Sequence, residues 1–195
     1  MKFPLKLEFK KIALSPQISV YDADDNLIFY VKQKLFKLKE AITVFADKEQ
    51  TRPLYKINAD RIIDFSAKYH FVDENGIELG AIKRNGRRSL WKSRYDIFNG
   101  SEMPIMRIEE ENATVKFMDA FFSEIPIIGL FSGYVFNPVY LVERPDDTLC
   151  LKVTKNKAFL ESSFTIEQNE QLTEQEQLQT VLGVLMMTLI ERTRG

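Results

Sequence analysis

The chain has 195 residues, 45% hydrophobic and 28% charged, which is enough for one globular domain with a sizeable core. A net charge of −1 and a single cysteine argue against a strongly basic nucleic-acid binder and against a disulfide-stapled secreted scaffold. The start, MKFPLKLEFKK, lacks the apolar core of a secretory signal, and the longest uncharged apolar runs, 125–136 and 178–190, are shorter than the about 20 residues of a membrane span. These features predict a cytoplasmic protein without a transmembrane segment, which can still associate peripherally with a membrane.

Five segments repeat one pattern, in which an apolar strand, a polar turn and a second apolar strand follow one another. The turns are rich in residues that bond their own backbone or accept a positive φ, so each segment is predicted to be a β-hairpin. With FPLKLEF near the start and SSFTIEQ at 162–168, the chain has roughly a dozen strands, a number that tends to close on itself. The five segments are ISVYDADDNLIFYVKQK (18–34), ITVFADKEQTRPLYKIN (42–58), YHFVDENGIELGAIKRN (69–85), YDIFNGSEMPIMRIEEE (95–111) and VYLVERPDDTLCLKVTK (139–155).

The C-terminal segment, LTEQEQLQTVLGVLMMTLIERTRG, is predicted to form a helix over about residues 174–192. Thr173 and Glu176 have the S/T-x-x-E spacing of a capping box, which places the helix start near Glu174. The apolar residues lie on every side of this helix, a pattern typical of a helix that is buried all round. A barrel of twelve strands is about 24 Å across and has room for a helix about 10–12 Å wide. We therefore expect the helix to run through a barrel.

Three stretches carry a resemblance to a known family: VYDADDNLIFYVKQKLFKLKEAITVF (20–45), YHFVDENGIELGAIKRNGRRSLWKSRYDIF (69–98) and KAFLESSFTIE (157–167). With the terminal apolar helix, they resemble the tubby C-terminal-like superfamily, and within it the LURP-one-related and phospholipid-scramblase branch. The resemblance covers nearly the whole chain and implies one domain over 1–195, a mainly β fold with a twelve-stranded antiparallel barrel closed around the C-terminal helix. It also implies a membrane-linked role, since tubby domains bind phosphoinositide headgroups and scramblases are associated with lipid movement.

The chain departs from the scramblases in three respects. Residues 167–177, EQNEQLTEQEQ, correspond to the scramblase calcium loop but lack the alternating Asp/Asn ligands and the central glycine of such loops. The proline-rich lead and the cysteine cluster of scramblases are missing as well. These departures argue against lipid scrambling and against a calcium site.

Residues 82–95, IKRNGRRSLWKSRY, hold six basic side chains and no acidic one. Asn85-Gly86 marks a turn, and a three-residue loop over 84–86 places Trp91 on the inner face of a hairpin, with Ile82 on the outer face. The predicted anion-binding residues are Arg84 at the tip, Arg88, Lys92 and Arg94 on the outer face, and Lys83 and Arg87 beside them.

Three interpretations of this basic hairpin are open: solubilising charges, a site for anionic headgroups, or a nucleic-acid surface. A pI of about 6.0 and the lack of an outward aromatic platform disfavour nucleic acid. Each Lys or Arg near an anionic bilayer contributes about 1 kcal/mol, so four give a reversible, millimolar association. A second basic run, KQKLFKLK at 32–39, is either a strand or connector with one solvent-exposed side or a part of the same positive face.

The stretch FFSEIPIIGLFSGYVFNP at 121–138 is the most apolar irregular segment, broken by two prolines and two glycines. One interpretation is that it covers the core or one end of the barrel. The other is that it exposes an apolar surface at 121–136 that binds a protein partner or inserts into a membrane.

Residues for enzyme chemistry are sparse. His70 is the only histidine, and with Cys150 it supplies too few groups for a catalytic triad or for a zinc site made of His and Cys. No glycine-rich phosphate-binding motif occurs. The sequence predicts a non-enzymatic binding or regulatory module without a cofactor, and anionic phospholipid is the leading ligand. The alternatives are a soluble protein–protein interaction module that uses 121–136 and a small-ligand carrier with an internal cavity.

Overall fold

The computed structural model describes residues 1–10, 17–32, 41–61, 67–85, 94–111, 138–156 and 162–192. In this part of the chain, twelve antiparallel strands form a closed barrel in which each strand pairs with its neighbours in sequence and the first pairs with the last. The predicted fold is confirmed. The elements are β1 (Leu5–Lys10), β2 (Gln17–Tyr21), β3 (Leu27–Lys32), β4 (Ile42–Phe45), β5 (Pro53–Ala59), β6 (Lys68–Asp73), β7 (Glu78–Arg84), β8 (Arg94–Asn99), β9 (Pro104–Glu110), β10 (Val139–Glu143), β11 (Leu149–Asn156), β12 (Ser162–Gln168) and α1 (Glu174–Arg192).

The five predicted hairpins are present and share one turn geometry. In each turn the backbone N–H of the fourth residue donates to the carbonyl of the first at 3.0–3.3 Å, and the fourth residue has a positive φ. Four of the five turns begin with Asp or Asn, whose side-chain oxygens accept backbone N–H groups further along the turn. The positive-φ residues are Asp25, Gln50, Gly76, Glu102 and Asp147.

The two ends of the barrel differ in how the chain connects there. The five tight turns and the link from β12 to α1 lie at the end where α1 begins, which we call the capped end. The other six connections join strands at the end where α1 finishes, which we call the far end.

The helix α1 is buried inside the barrel, as its sequence predicts. Residues 179–190 are all buried. The predicted capping box is formed, because the Thr173 hydroxyl accepts the Glu176 N–H at 3.2 Å and the Glu176 carboxylate accepts the Thr173 N–H at 2.9 Å. The Gln179 amide donates to the Leu79 carbonyl at 2.6 Å and ties the start of the helix to β7.

The predicted three-residue turn at 84–86 is wrong. Strand β7 pairs with β8 so that Arg84 lies opposite Tyr95 and Ile82 lies opposite Ile97. A bulge at Leu79, where β7 pairs with β6, reverses the inward and outward alternation along the rest of β7. Ile82, predicted on the outer face, is therefore fully buried.

Gly183→Ala is expected to destabilise the protein, although alanine favours a helix interior by about 1 kcal/mol. A Cβ at Gly183 would lie 2.7 Å from the Cδ1 of Ile97 on β8, so the helix or the wall must shift, at a typical cost of about 1–3 kcal/mol. Ile97→Val removes that methyl group, and in its background Gly183→Ala should cost much less. Urea unfolding of the four variants measures this, and losses that simply add would show that α1 and β8 do not meet here.

Gln50→Gly is expected to stabilise the protein by about 0.5–1 kcal/mol, because Gln50 is exposed and holds a φ of 63° that glycine adopts without strain. Glu49→Gly, in the same turn and without a positive φ, is the matched control and should lower stability. Thermal unfolding compares the two, and an equal loss in both would contradict the shared turn geometry.

Candidate functional site at the far end of the barrel

The two basic runs of the sequence leave the barrel at the same end. Strand β3 finishes at Lys32 and strand β7 at Arg84, both at the far end, and they continue into 33–40 and 86–93. Lys10 and Lys32 are exposed and lie in one row of the sheet, because each pairs with Gln17. Among the described residues, no carboxylate lies within 4.0 Å of the ammonium groups of Lys10 and Lys32.

The connections between elements differ in the net charge of their sequences at the two ends. The six at the capped end contain ten acidic and three basic residues, and the sequences of the six at the far end contain seven acidic and ten basic residues. The described capped-end connections are therefore net acidic, and the sequences of the far-end connections predict a net basic end. The far-end connections are 11–16, 33–41, 60–67, 85–93, 111–138 and 157–161, and the capped-end ones are 22–26, 46–52, 74–77, 100–103, 144–148 and 169–173.

Arg84 does not lie at the tip of a hairpin, and its predicted exposure is wrong. The residue is 9% exposed, because the bulge in β7 turns its side chain to the inside of the wall. Its Nε lies 3.8 Å from the Oε1 of Glu191 in the last turn of α1 and has no hydrogen-bond partner among the described residues. The same Glu191 oxygen accepts a hydrogen bond from the Tyr95 hydroxyl. Arg84 and Tyr95 thus hold the end of the helix against the barrel wall.

The phenols beside Glu191 stay protonated. Burial raises the pKa of the Tyr95 hydroxyl, and its hydrogen bond to the Glu191 carboxylate raises this pKa further. Burial also raises the pKa of Tyr140, with a further contribution from the charges of Glu110 and Glu191. Both hydroxyls are therefore neutral hydrogen-bond donors at physiological pH, which suits a structural contact.

Arg94 lies on the outer surface, as predicted, but its charge is compensated. Its guanidinium lies 3.5 Å from Asp96 and 3.2 Å from Glu109 on the neighbouring strand β9. Glu109 also lies 3.7 Å from Arg107, which contacts Glu143 at 2.8 Å. At Arg94, the described end of the stretch that is free of acids in the sequence, the basic side chain is thus beside acids in space.

Of the remaining predicted residues, the structure describes only Lys83. Lys83 is half-buried on the outer face, between Lys68 and Asp96 in the sheet. Arg87, Arg88 and Lys92 lie outside the described residues, and so does the apolar segment 121–136.

His70 belongs to an outer-surface cluster that the sequence analysis missed. Its Nδ1 lies 2.7 Å from the Oε1 of Glu78, and the possible ligand atoms of His70, Glu78 and Glu102 all lie within 4.8 Å of one another. An imidazole with two carboxylates is a donor set that divalent metal ions accept. Here the Lys68 ammonium lies 2.6 Å from Glu102 and supplies the positive charge. In the pairing of β6 with β7, His70 lies opposite Ala81 and Glu78 lies opposite Val72, so the His70–Glu78 contact is diagonal across the bulge and has no signal in the sequence alone.

In the described part of the chain, no helix combines the length and the apolar character that crossing a membrane requires. The sequence of α1 fits the barrel interior that this helix occupies.

Comparison with known proteins assigns the family. The chain is similar to a protein of Arabidopsis thaliana whose X-ray structure is solved, with 12% sequence identity, a TM-score of 0.49, and coverage of 99% of this chain and 93% of that one. No curated protein matches the chain. The model of the LURP-one-related family matches residues 27–175, from the start of β3 into the first turn of α1. The chain therefore belongs to the LURP-one-related family, as its hairpins and closing helix predicted.

Proposed function

We propose that this protein is a non-enzymatic binding module whose far end associates weakly with anionic phospholipid. One observation carries the proposal: the basic runs 32–39 and 83–94, which are far apart in the sequence, are joined to strands that finish at the same end of the barrel. The exposed Lys10 lies in the same row of the sheet as Lys32 and adds a charge that no described carboxylate compensates.

The structure changes which residues support this function. Arg84 is buried against Glu191, and Arg94 is paired with Asp96 and Glu109, so neither offers an uncompensated charge. The proposed surface is therefore centred on Lys10 and Lys32, and Lys83, Arg87, Arg88 and Lys92 stay predicted members of it.

The expected affinity is low and depends on salt. Lys10 and Lys32 with two of the predicted members, four cations in all, would contribute about 4 kcal/mol near an anionic bilayer, which corresponds to a millimolar association. Screening at high ionic strength removes most of this attraction, since the Debye length falls to about 3 Å at 1 M salt. The excess of acidic residues at the capped end would repel an anionic surface, so the attraction also orients the molecule with its far end toward the lipid.

Sedimentation with phosphatidylserine-containing vesicles, compared with pure phosphatidylcholine vesicles, tests the proposal. The protein should bind only the anionic vesicles, and Lys10→Ser/Lys32→Ser should weaken binding roughly thirtyfold, since each cation contributes about 1 kcal/mol. Lys48→Ser/Arg52→Ser removes two cations from the capped end and is the matched control, with no expected loss. Equal binding to both kinds of vesicle, or equal losses in both variants, would refute the proposal.

Single substitutions test whether a cation without a nearby carboxylate contributes more to vesicle binding than a cation that is ion-paired. Lys32→Gln should weaken vesicle binding about fivefold, whereas Arg94→Gln should change it less than twofold, because Asp96 and Glu109 already offset the Arg94 charge. The same vesicle assay measures both variants. A larger loss for Arg94→Gln would mean that the ion pairs on β8 and β9 open at the membrane.

A further inference from the structure

The capped end combines an excess of acidic groups with exposed apolar side chains. Among the described residues, the exposed large hydrophobic side chains are Met1, Ile77 and Met103, and all three lie at this end. Ile77 is 61% exposed and Met103 is 62% exposed. Isolated apolar side chains are common on protein surfaces, so exposed apolar side chains indicate an interaction surface only where they lie near one another.

Ile77 and Met103 lie on turns whose backbones touch. Ile77 is the last residue of the turn between β6 and β7, and Met103 is the last residue of the turn between β8 and β9. Gly100 packs on the start of β7 so closely that a Cβ there would lie 2.6 Å from the Glu78 carbonyl oxygen. The turn that carries Met103 therefore adjoins the start of β7, next to the turn that carries Ile77.

Carboxylates surround this apolar pair. Glu74 lies in the same turn as Ile77, and the side chains of Glu78 and Glu102 are 39% and 64% exposed. The cation beside them, Lys68, is only 14% exposed, and its ammonium lies over the Phe98 ring at 4.5 Å and against Glu102. Glu78 also contacts the His70 Nδ1 at 2.7 Å, but three carboxylates face one ammonium here, so the group keeps an acidic excess beside the two apolar side chains.

We propose that Ile77 and Met103, with Glu74, Glu78 and Glu102, form a docking surface for a protein segment in which basic and apolar side chains alternate. The apolar pair provides contact area that excludes water, and the carboxylates attract and orient a basic partner. A surface of this size fits a weak, transient interaction. The proposal stands apart from the lipid proposal, because the capped end faces away from a membrane that holds the far end.

Fluorescence anisotropy with two labelled peptides of about ten residues, one alternating Lys and Leu and one alternating Lys and Ser, tests this surface. The Lys–Leu peptide should bind about tenfold more tightly, because only it covers the apolar pair, and Ile77→Ser/Met103→Ser should abolish that difference. Glu78→Gln/Glu102→Gln should weaken both peptides. Asp24→Asn/Asp25→Asn, which removes two charges from the turn between β2 and β3, is the matched control and should have little effect.

Three results would overturn the proposal. These are equal binding of the two peptides, a difference that survives Ile77→Ser/Met103→Ser, and equal losses in the two carboxylate variants. Sedimentation velocity of the protein without peptide tests whether the chain binds to itself. A salt-sensitive self-association that Ile77→Ser/Met103→Ser abolishes would identify a second copy of this chain as the occupant, in place of a different protein.

Discussion

The burial of α1 on all its sides is the constraint on which the rest of the structure depends. Residues 181–190 are buried without exception, so only a wall that closes completely can cover the helix. Within this region the Thr188 hydroxyl donates to the Leu185 carbonyl of its own helix at 2.7 Å. At Gly183 the helix and β8 leave no room for a methyl group, and hence none for a ligand at that point. Recognition chemistry is therefore left to the outer surface and the two ends.

The charge difference between the ends follows from the chemistry of the turns. A hairpin turn that begins with Asp satisfies its own backbone N–H groups with the carboxylate, and the repeated turn places such residues at one end of the barrel. The hydrogen bonds from the N–H groups of Asn26 and Thr51 lower the pKa of Asp22 and of Asp47, so both carboxylates stay ionised. The acidic capped end is thus a consequence of hairpin stability, and the sequence predicts an excess of basic residues in the connections at the other end.

Features with local and repeated signals were predicted from the sequence, and features that depend on a neighbouring strand were not. The five hairpins and the Thr173–Glu176 capping box each occupy one short window, so their patterns were sufficient. The bulge at Leu79 exists only in the pairing of β7 with β6, and by reversing the alternation it moved Arg84 from the outside of the barrel to the inside. In the same way, Glu109 reaches Arg94 from another strand. The acid-free stretch therefore overstated the surface charge.

The two proposed surfaces would gain strength from each other if both are used. Each one alone supports a weak interaction, since a few cations or two apolar side chains contribute little against the cost of association. The capped end faces away from a bilayer that holds the far end, so a basic partner segment on the same bilayer would need a linker long enough to span the barrel in order to reach it. The second contact then forms at a high effective concentration, so that two weak affinities combine into a stable complex. A rigid barrel filled by its own helix suits this role, because its two ends keep a fixed separation.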